Sequence, residues 1–163
     1  MKQYIQQIQN TLSKKGHSKS LTFSMPHVLK AIQLLSKEKF VSRAQFCNEL
    51  LLGEGAVKTL IQRLKNTNIV KTTRAGTFLT EPGKKLGTFL DEVMPYECNI
   101  KKCSILSKKY NHAIILRNSG NLIKTGLEQR DYAILYGSEG CVTLIYKNNK
   151  FIFPSDDKEA LHN

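Results

Sequence analysis

Acidic residues are scarce in this chain. Only 13 Asp and Glu stand against 25 Lys and Arg in 163 residues, a formal charge of +12. A surface so short of negative charge points to a polyanionic partner, of which nucleic acid is the commonest. Long apolar runs are missing too. No stretch approaches the roughly 20 apolar residues needed to span a bilayer. The opening residues Met1-Lys2-Gln3-Tyr4-Ile5-Gln6-Gln7 lack the apolar core of a secretory signal. A cytoplasmic protein with no membrane partner is the expectation. There is no Gly-rich phosphate loop, no H-E-x-x-H and no G-x-S-x-G. Ser, His and Asp occur in no arrangement that suggests a nucleophile, so an enzyme is not expected. Internal repeats and low-complexity tracts are absent as well.

Cysteine is limited to Cys47, Cys98, Cys103 and Cys141. Cys47 falls inside a helical pattern and reads as a small core residue. Structural disulfides are not expected in a cytosolic protein. Cys98 and Cys103, with His112, would be the seed of a metal or redox site, and Lys101 and Lys102 between the thiols would favour the thiolate. Zinc sites, however, use tighter pairs and a second pair of ligands. Two unconnected cysteines is the better reading, and neither a metal nor any other cofactor is expected.

The positive charge is uneven. Residues 1–95 carry 15 basic and 6 acidic side chains, a net of +9; residues 96–163 carry 10 and 7, a net of +3. Pattern and punctuation divide the chain into four. Residues 1–20 hold a short amphipathic helix, with Ile5, Ile8 and Leu12 at helical spacing, and a polar linker, Lys14-Lys15-Gly16-His17-Ser18-Lys19-Ser20. Residues 21–80 form the basic, motif-bearing part. Residues 81–95 are a connecting helix capped by Thr80, with Pro82 in its first turn and Pro95 at its end. Residues 96–163 are richer in β-type runs.

The second part predicts three helices and a hairpin. Ser24 caps the first helix, which buries Val28, Leu29, Ile32, Leu34 and Leu35; His27 reads as a polar helix-end residue. After a short extended piece at Phe40-Val41, Ser42 caps a second helix with Ala44, Phe46, Cys47 and Leu50 inward. A turn at Leu51-Leu52-Gly53 leads to the third. There Val57, Leu60, Ile61 and Leu64 fall at i, i+3, i+4 and i+7, one buried face. The opposite face offers Gly55, Lys58, Thr59, Gln62 and Arg63, groups suited to phosphates or base edges. Two β-runs follow, 69–73 and 77–80, about the turn Arg74-Ala75-Gly76. A hairpin bearing Lys71 and Arg74 straight after the third helix is a wing that can reach the DNA backbone beside it.

Residues 27–80 resemble the winged helix-turn-helix of bacterial and archaeal transcription regulators. The resemblance rests on Asn48-Glu49-Leu50-Leu51-Leu52-Gly53-Glu54-Gly55-Ala56-Val57, on Leu60 and Leu64, and on Asn68-Ile69-Val70 leading into the wing. Such proteins often have Gly where this chain has Leu51, and Ser or Thr where it has Gly53. Leu51 lacks glycine's freedom to take a positive φ, while Gly53 is an acceptable cap. The whole chain resembles archaeal regulators with a C-terminal domain of unknown function.

In that C-terminal part, residues 111–117, 125–136, 141–146 and 150–153 read as strand, helix, strand and strand. The helix is opened by a Thr125-x-x-Glu128 capping box, and the last two strands flank the turn Lys147-Asn148-Asn149. About 65 residues is small for an independent core. Arg117, Arg130 and Asp131 would be the charged groups of an effector site for a small anionic molecule, with Tyr132 and Tyr136 beside it. The competing view makes Arg130 and Asp131 a surface pair.

The expected fold is thus α+β, an N-terminal winged helix-turn-helix plus a small β-α-β-β domain. The expected function is a sequence-specific double-stranded DNA-binding transcription regulator, with Gly55, Lys58, Thr59, Gln62, Arg63, Lys71 and Arg74 at the DNA. A winged-helix module that docks proteins in a transcription or chromatin assembly is the alternative. A homodimer is expected, because one winged helix reads a short site. Its contacts would come from at least one of the apolar stripes of residues 3–13 and 86–94.

Overall fold

The computed structural model describes residues 2–13, 21–154 and 160. The polar linker expected at residues 14–20 lies outside the described residues. The chain divides into two compact units, Met1–Glu92 and Val93–Asn163. The architecture is α+β, and no helix among the described residues is long and apolar enough to cross a membrane.

The first unit contains helices α1 (Lys2–Leu12), α2 (Met25–Lys37), α3 (Arg43–Leu50), α4 (Glu54–Asn66) and α5 (Glu81–Val93), with strands β1 (Val70–Thr73) and β2 (Gly76–Leu79) between the last two helices. The starts of α2, α3 and α5 follow from local chemistry. Ser42 Oγ accepts the Gln45 N–H at 3.1 Å. At α2 the Ser24 N–H donates to Nδ1 of His27 at 3.1 Å, so His27 fills the place a Glu or Gln takes in a capping box. Thr80 Oγ1 accepts the Gly83 N–H and donates to the Asn68 carbonyl 2.6 Å away. One hydroxyl thereby joins the start of α5 to the segment leading into β1.

The core forms where the apolar stripes meet. Val28, Ile32 and Leu35 of α2, Phe46 and Leu50 of α3, and Val57, Leu60, Ile61 and Leu64 of α4 are buried with Ile69, Val70 and Leu79. Each such side chain contributes roughly 1.5–3 kcal/mol of transfer free energy. Ala44, expected inside, is exposed, and Cys47 is half-buried. The eight-residue α3 presents a narrow apolar stripe that Phe46 and Leu50 already fill.

Much of both stripes assigned to a second subunit packs within this unit, although Ile5 stays exposed. Ile8 of α1 and Leu86 and Leu90 of α5 are buried. Tyr4 of α1 stacks on Phe89 of α5 with ring centroids 4.7 Å apart. Helix α1 packs on α2 and α4. Helix α5, read as a connector, is part of the first unit through Glu92. Its close approach depends on two glycines. A Cβ on Gly83 would collide with the Ile69 carbonyl oxygen, and one on Gly87 with the Ser36 hydroxyl.

The second unit holds β3 (Tyr96–Ile100), β4 (Asn111–Ile115), a 3-10 turn (Gly120–Leu122), α6 (Leu127–Leu135), β5 (Ile145–Lys147) and β6 (Lys150–Ile152). Its order is β-β-α-β-β, so the expected β-α-β-β series misses one strand. β3 pairs antiparallel with β4, Tyr96 opposite Ile115 and Ile100 opposite Asn111. Tyr96-Glu97-Cys98-Asn99-Ile100 alternates apolar and polar residues over only five positions, and pairing across a ten-residue loop makes it a strand. β5 and β6 form a hairpin whose central Asn148 and Asn149 both have positive φ (52° and 61°), the signature of a type I′ turn. The capping box at Thr125 does not form. Gly126, at φ 80°, is the N-cap, and Thr125 Oγ1 instead accepts the Leu127 N–H.

Candidate nucleic-acid interface

The helix α3, the turn at 51–53 and helix α4 form the helix-turn-helix, and β1 and β2 form the wing. β1 and β2 pair antiparallel from Val70 opposite Leu79 to Thr73 opposite Gly76, leaving Arg74 and Ala75 at the tip. Val41 adds a third edge: its N–H donates to the Thr77 carbonyl and its carbonyl accepts the Thr77 N–H, at 2.8 and 2.9 Å. Gly76, at φ 137°, lies so close to this bridge that a Cβ would touch the Val41 carbonyl. The wing is therefore anchored through Thr77 and Gly76, just behind its turn, with Arg74 and Ala75 exposed at the tip.

The turn departs from the sequence expectation at one residue. Leu51 takes the left-handed conformation, φ 53° and ψ 40°, despite its side chain, and that side chain is 91% exposed. The tertiary positions of α3 and α4 impose on leucine a conformation that glycine adopts freely.

Helix α4 has two unlike faces. Val57, Leu60 and Leu64 are fully buried, whereas Gly55, Lys58, Thr59, Gln62, Lys65 and Asn66 are exposed. Four of the residues expected at DNA, Gly55, Lys58, Thr59 and Gln62, thus share one open face. Lys65 and Asn66 belong to it as well. The helical repeat places them seven residues beyond Lys58 and Thr59, a signal present in the sequence. Thr59 Oγ1 donates to the Gly55 carbonyl at 2.9 Å, and Gln62 Nε2 donates to Asn66 Oδ1 at 2.9 Å.

Arg63 does not join this face. Its guanidinium donates to the Thr11 and Ser13 carbonyls, at 3.1 and 2.7 Å. These carbonyls close the C-terminal end of α1, where a cation complements both the unpaired acceptors and the helix dipole. Beside it, the buried Thr11 hydroxyl lies 3.3 Å from that of Thr67. Arg63 sits at the border of the buried face, and α1 covers it. In the wing, Arg74 stands exposed at the tip. Lys71, paired across the sheet with Phe78, lines an open groove of about 790 Å³ with Lys39, Phe40, Phe78 and Lys84, to which α4 contributes nothing. Phe40 and Phe78 meet there edge to face, 5.6 Å between centroids.

The residues considered for an effector site do not converge. Arg130 donates to the carboxylate of its neighbour Asp131 at 3.0 Å, and both are exposed, so the two charges offset each other on the surface. Tyr132 and Tyr136 are exposed. Arg117 follows β4, with its backbone N–H on the Val93 carbonyl, and no interaction among the described residues joins it to Arg130 or Asp131. Glu139 pairs with Lys108 at 2.5 Å, and that hydrogen bond and charge hold its carboxyl below the usual range. Cys98 and Cys103 are free, exposed thiols. Cys98 lies opposite Ala113, whereas His112 lies opposite Asn99 and bonds it at 2.9 Å. Successive strand residues face opposite ways, so His112 and Cys98 point to opposite faces of the hairpin.

The fold and this open face define a winged helix-turn-helix protein carrying a second α+β unit. Residues 26–85 match the family model described as the PH0730-like N-terminal domain, and residues 107–163 match a domain of unknown function, DUF4443. Among solved structures, the hypothetical protein PH0730 from Pyrococcus horikoshii OT3 is similar at 30% identity and a TM-score of 0.65, over 85% of this chain and 70% of that one. The chain belongs to the PH0730-like family. No curated protein matches it.

Proposed function

We propose that this protein binds double-stranded DNA sequence-specifically and regulates transcription, with α4 in the major groove and the tip of the wing on the flanking backbone. The observation that carries this reading is the unlike pair of faces on α4. One face is fully committed to the core. The other presents Gly55, Lys58, Thr59, Gln62, Lys65 and Asn66 to solvent, with no side-chain hydrogen bond or ion pair to another element among the described residues. The basic tip at Arg74 and the net +9 of residues 1–95 supply attraction to phosphate.

The reading is tested by titrating labelled duplex DNA at two salt concentrations. With Lys58, Lys65 and Arg74 each neutralising one phosphate, the logarithm of the binding constant falls against that of salt with a slope of roughly −3. Lys58→Ala weakens binding to every duplex and reduces that slope by about one. A folded protein without affinity for duplex at about 100 µM, the weak end of non-specific binding, leaves the protein-docking role of the winged helix in its place.

A further inference from the structure

The open face of α4 is divided into rows of different chemistry. Directly opposite the buried stripe lie Gly55, Thr59, Gln62 and Asn66, at i, i+4, i+7 and i+11, and none of them is charged. Lys58 and Lys65, seven residues apart, form the row beside it. Arg63, the guanidinium of this helix, is occupied by the carbonyls of α1. In a helix laid in the major groove the central row meets base edges and the flanking rows meet the walls of phosphate. The central row therefore lacks the Arg or Lys that makes the commonest contact to guanine.

The hydrogen bonds within the helix narrow the choice further. The proton of the Thr59 hydroxyl goes to the Gly55 carbonyl. What Thr59 turns outward is its methyl group and a lone pair, which suits the C5-methyl of thymine. Gln62 spends one N–H on Asn66. Its other N–H and its Oε1 remain, a donor next to an acceptor, the complement of N7 and N6 on adenine. Gly55 has nothing within 4 Å of the place a Cβ would occupy, so the helix start can approach the groove floor. Thr59 and Gln62 are about 4.5 Å apart along the axis, close to the roughly 3.4 Å rise of a base pair, and so meet neighbouring pairs.

We infer that this face selects A·T pairs: Gln62 reads an adenine, Thr59 packs on a thymine methyl beside it, and Asn66 is the positioning residue that holds the Gln62 amide. This rests on the DNA-binding reading above. Selection of bound sites from a random duplex library, with the full chain and its variants, tests it. The parent chain enriches sites that contain adjacent A·T pairs. Gln62→Ala loses about 5- to 100-fold discrimination for adenine at one position. Gln62→Glu moves that position to cytosine, whose N4 donates to a carboxylate. Asn66→Ala blurs the same position and no other. Both substituted side chains are exposed, and unchanged melting temperatures confirm that the variants fold. Selected sites of G·C pairs, or an adenine position indifferent to both Gln62 variants, overturn the assignment while DNA binding stands. A parent chain that enriches no sequence and binds no duplex overturns both.

Discussion

At the scale of single residues, Arg63 and Leu51 are where local rules and tertiary structure disagree. Arg63 has the charge and the helix position of a DNA contact, yet it holds the end of α1. Arg63→Ala should therefore lower unfolding free energy by about 1–3 kcal/mol, the value of hydrogen bonds made by a charged donor. The salt dependence of DNA binding should stay as it was. Urea unfolding and a salt titration give the two answers, and a changed slope with unchanged stability would return Arg63 to the interface. Leu51 is the opposite case: its left-handed backbone costs on the order of 1 kcal/mol, and its side chain at 91% exposure recovers almost nothing by burial. Leu51→Gly should raise stability by about 0.5–1 kcal/mol, read as a higher urea midpoint with the same slope. No gain would mean that the apolar side chain is stabilised in a way its exposure does not reveal.

Among elements, α5 shows how closely glycine can bring a helix to its neighbours. Gly83→Ala places a methyl group against a backbone carbonyl at Ile69, an atom that cannot move aside cheaply. It should cost about 1–3 kcal/mol. Gly55→Ala, on a helix with open space around it, should instead stabilise by about 0.5–1 kcal/mol. Thermal melts of the two variants in parallel decide the matter; equal shifts of the same sign would remove close packing as the reason for Gly83.

The same elements mark what the sequence could convey. Helices α2 to α4 and the wing were legible because long apolar periodicity, Ser42 and Thr80 as caps, and the 74–76 turn agree with one another. The open face of α4 was legible for the same reason, since Lys58, Thr59 and Gln62 lie opposite a clear stripe. Arg63 was not, because its partners are 50 or more positions away in sequence. Strand β3 was not, because Tyr96, Cys98 and Ile100 alternate with Glu97 and Asn99 over only five residues, a run that gains meaning only from its pairing with β4. The stripes of α1 and α5 were seen, but periodicity cannot say whether a stripe meets its own chain or another.

The two units, taken whole, are built to very different standards. The first contains a continuous core. In the second, Ala160 is the one buried residue among those described, and Tyr96, Tyr110, Leu122, Tyr132, Leu135 and Tyr146 are each more than 60% exposed. Few buried apolar contacts mean a low free energy of local opening. The consequence is legible in amide protons. Those of α6 and of the β5–β6 hairpin should exchange with solvent through small openings, within seconds to minutes. Those of α2 and α4 should be released only by global unfolding, many orders of magnitude more slowly. Native-state hydrogen exchange would then divide the chain near residue 92 into a slow half and a fast half, and uniform protection across that point would show that something covers the second unit in solution. A single melting temperature would describe only the slow half. Any ligand or partner that orders the fast half would announce itself as new protection there, before any change was seen in α4.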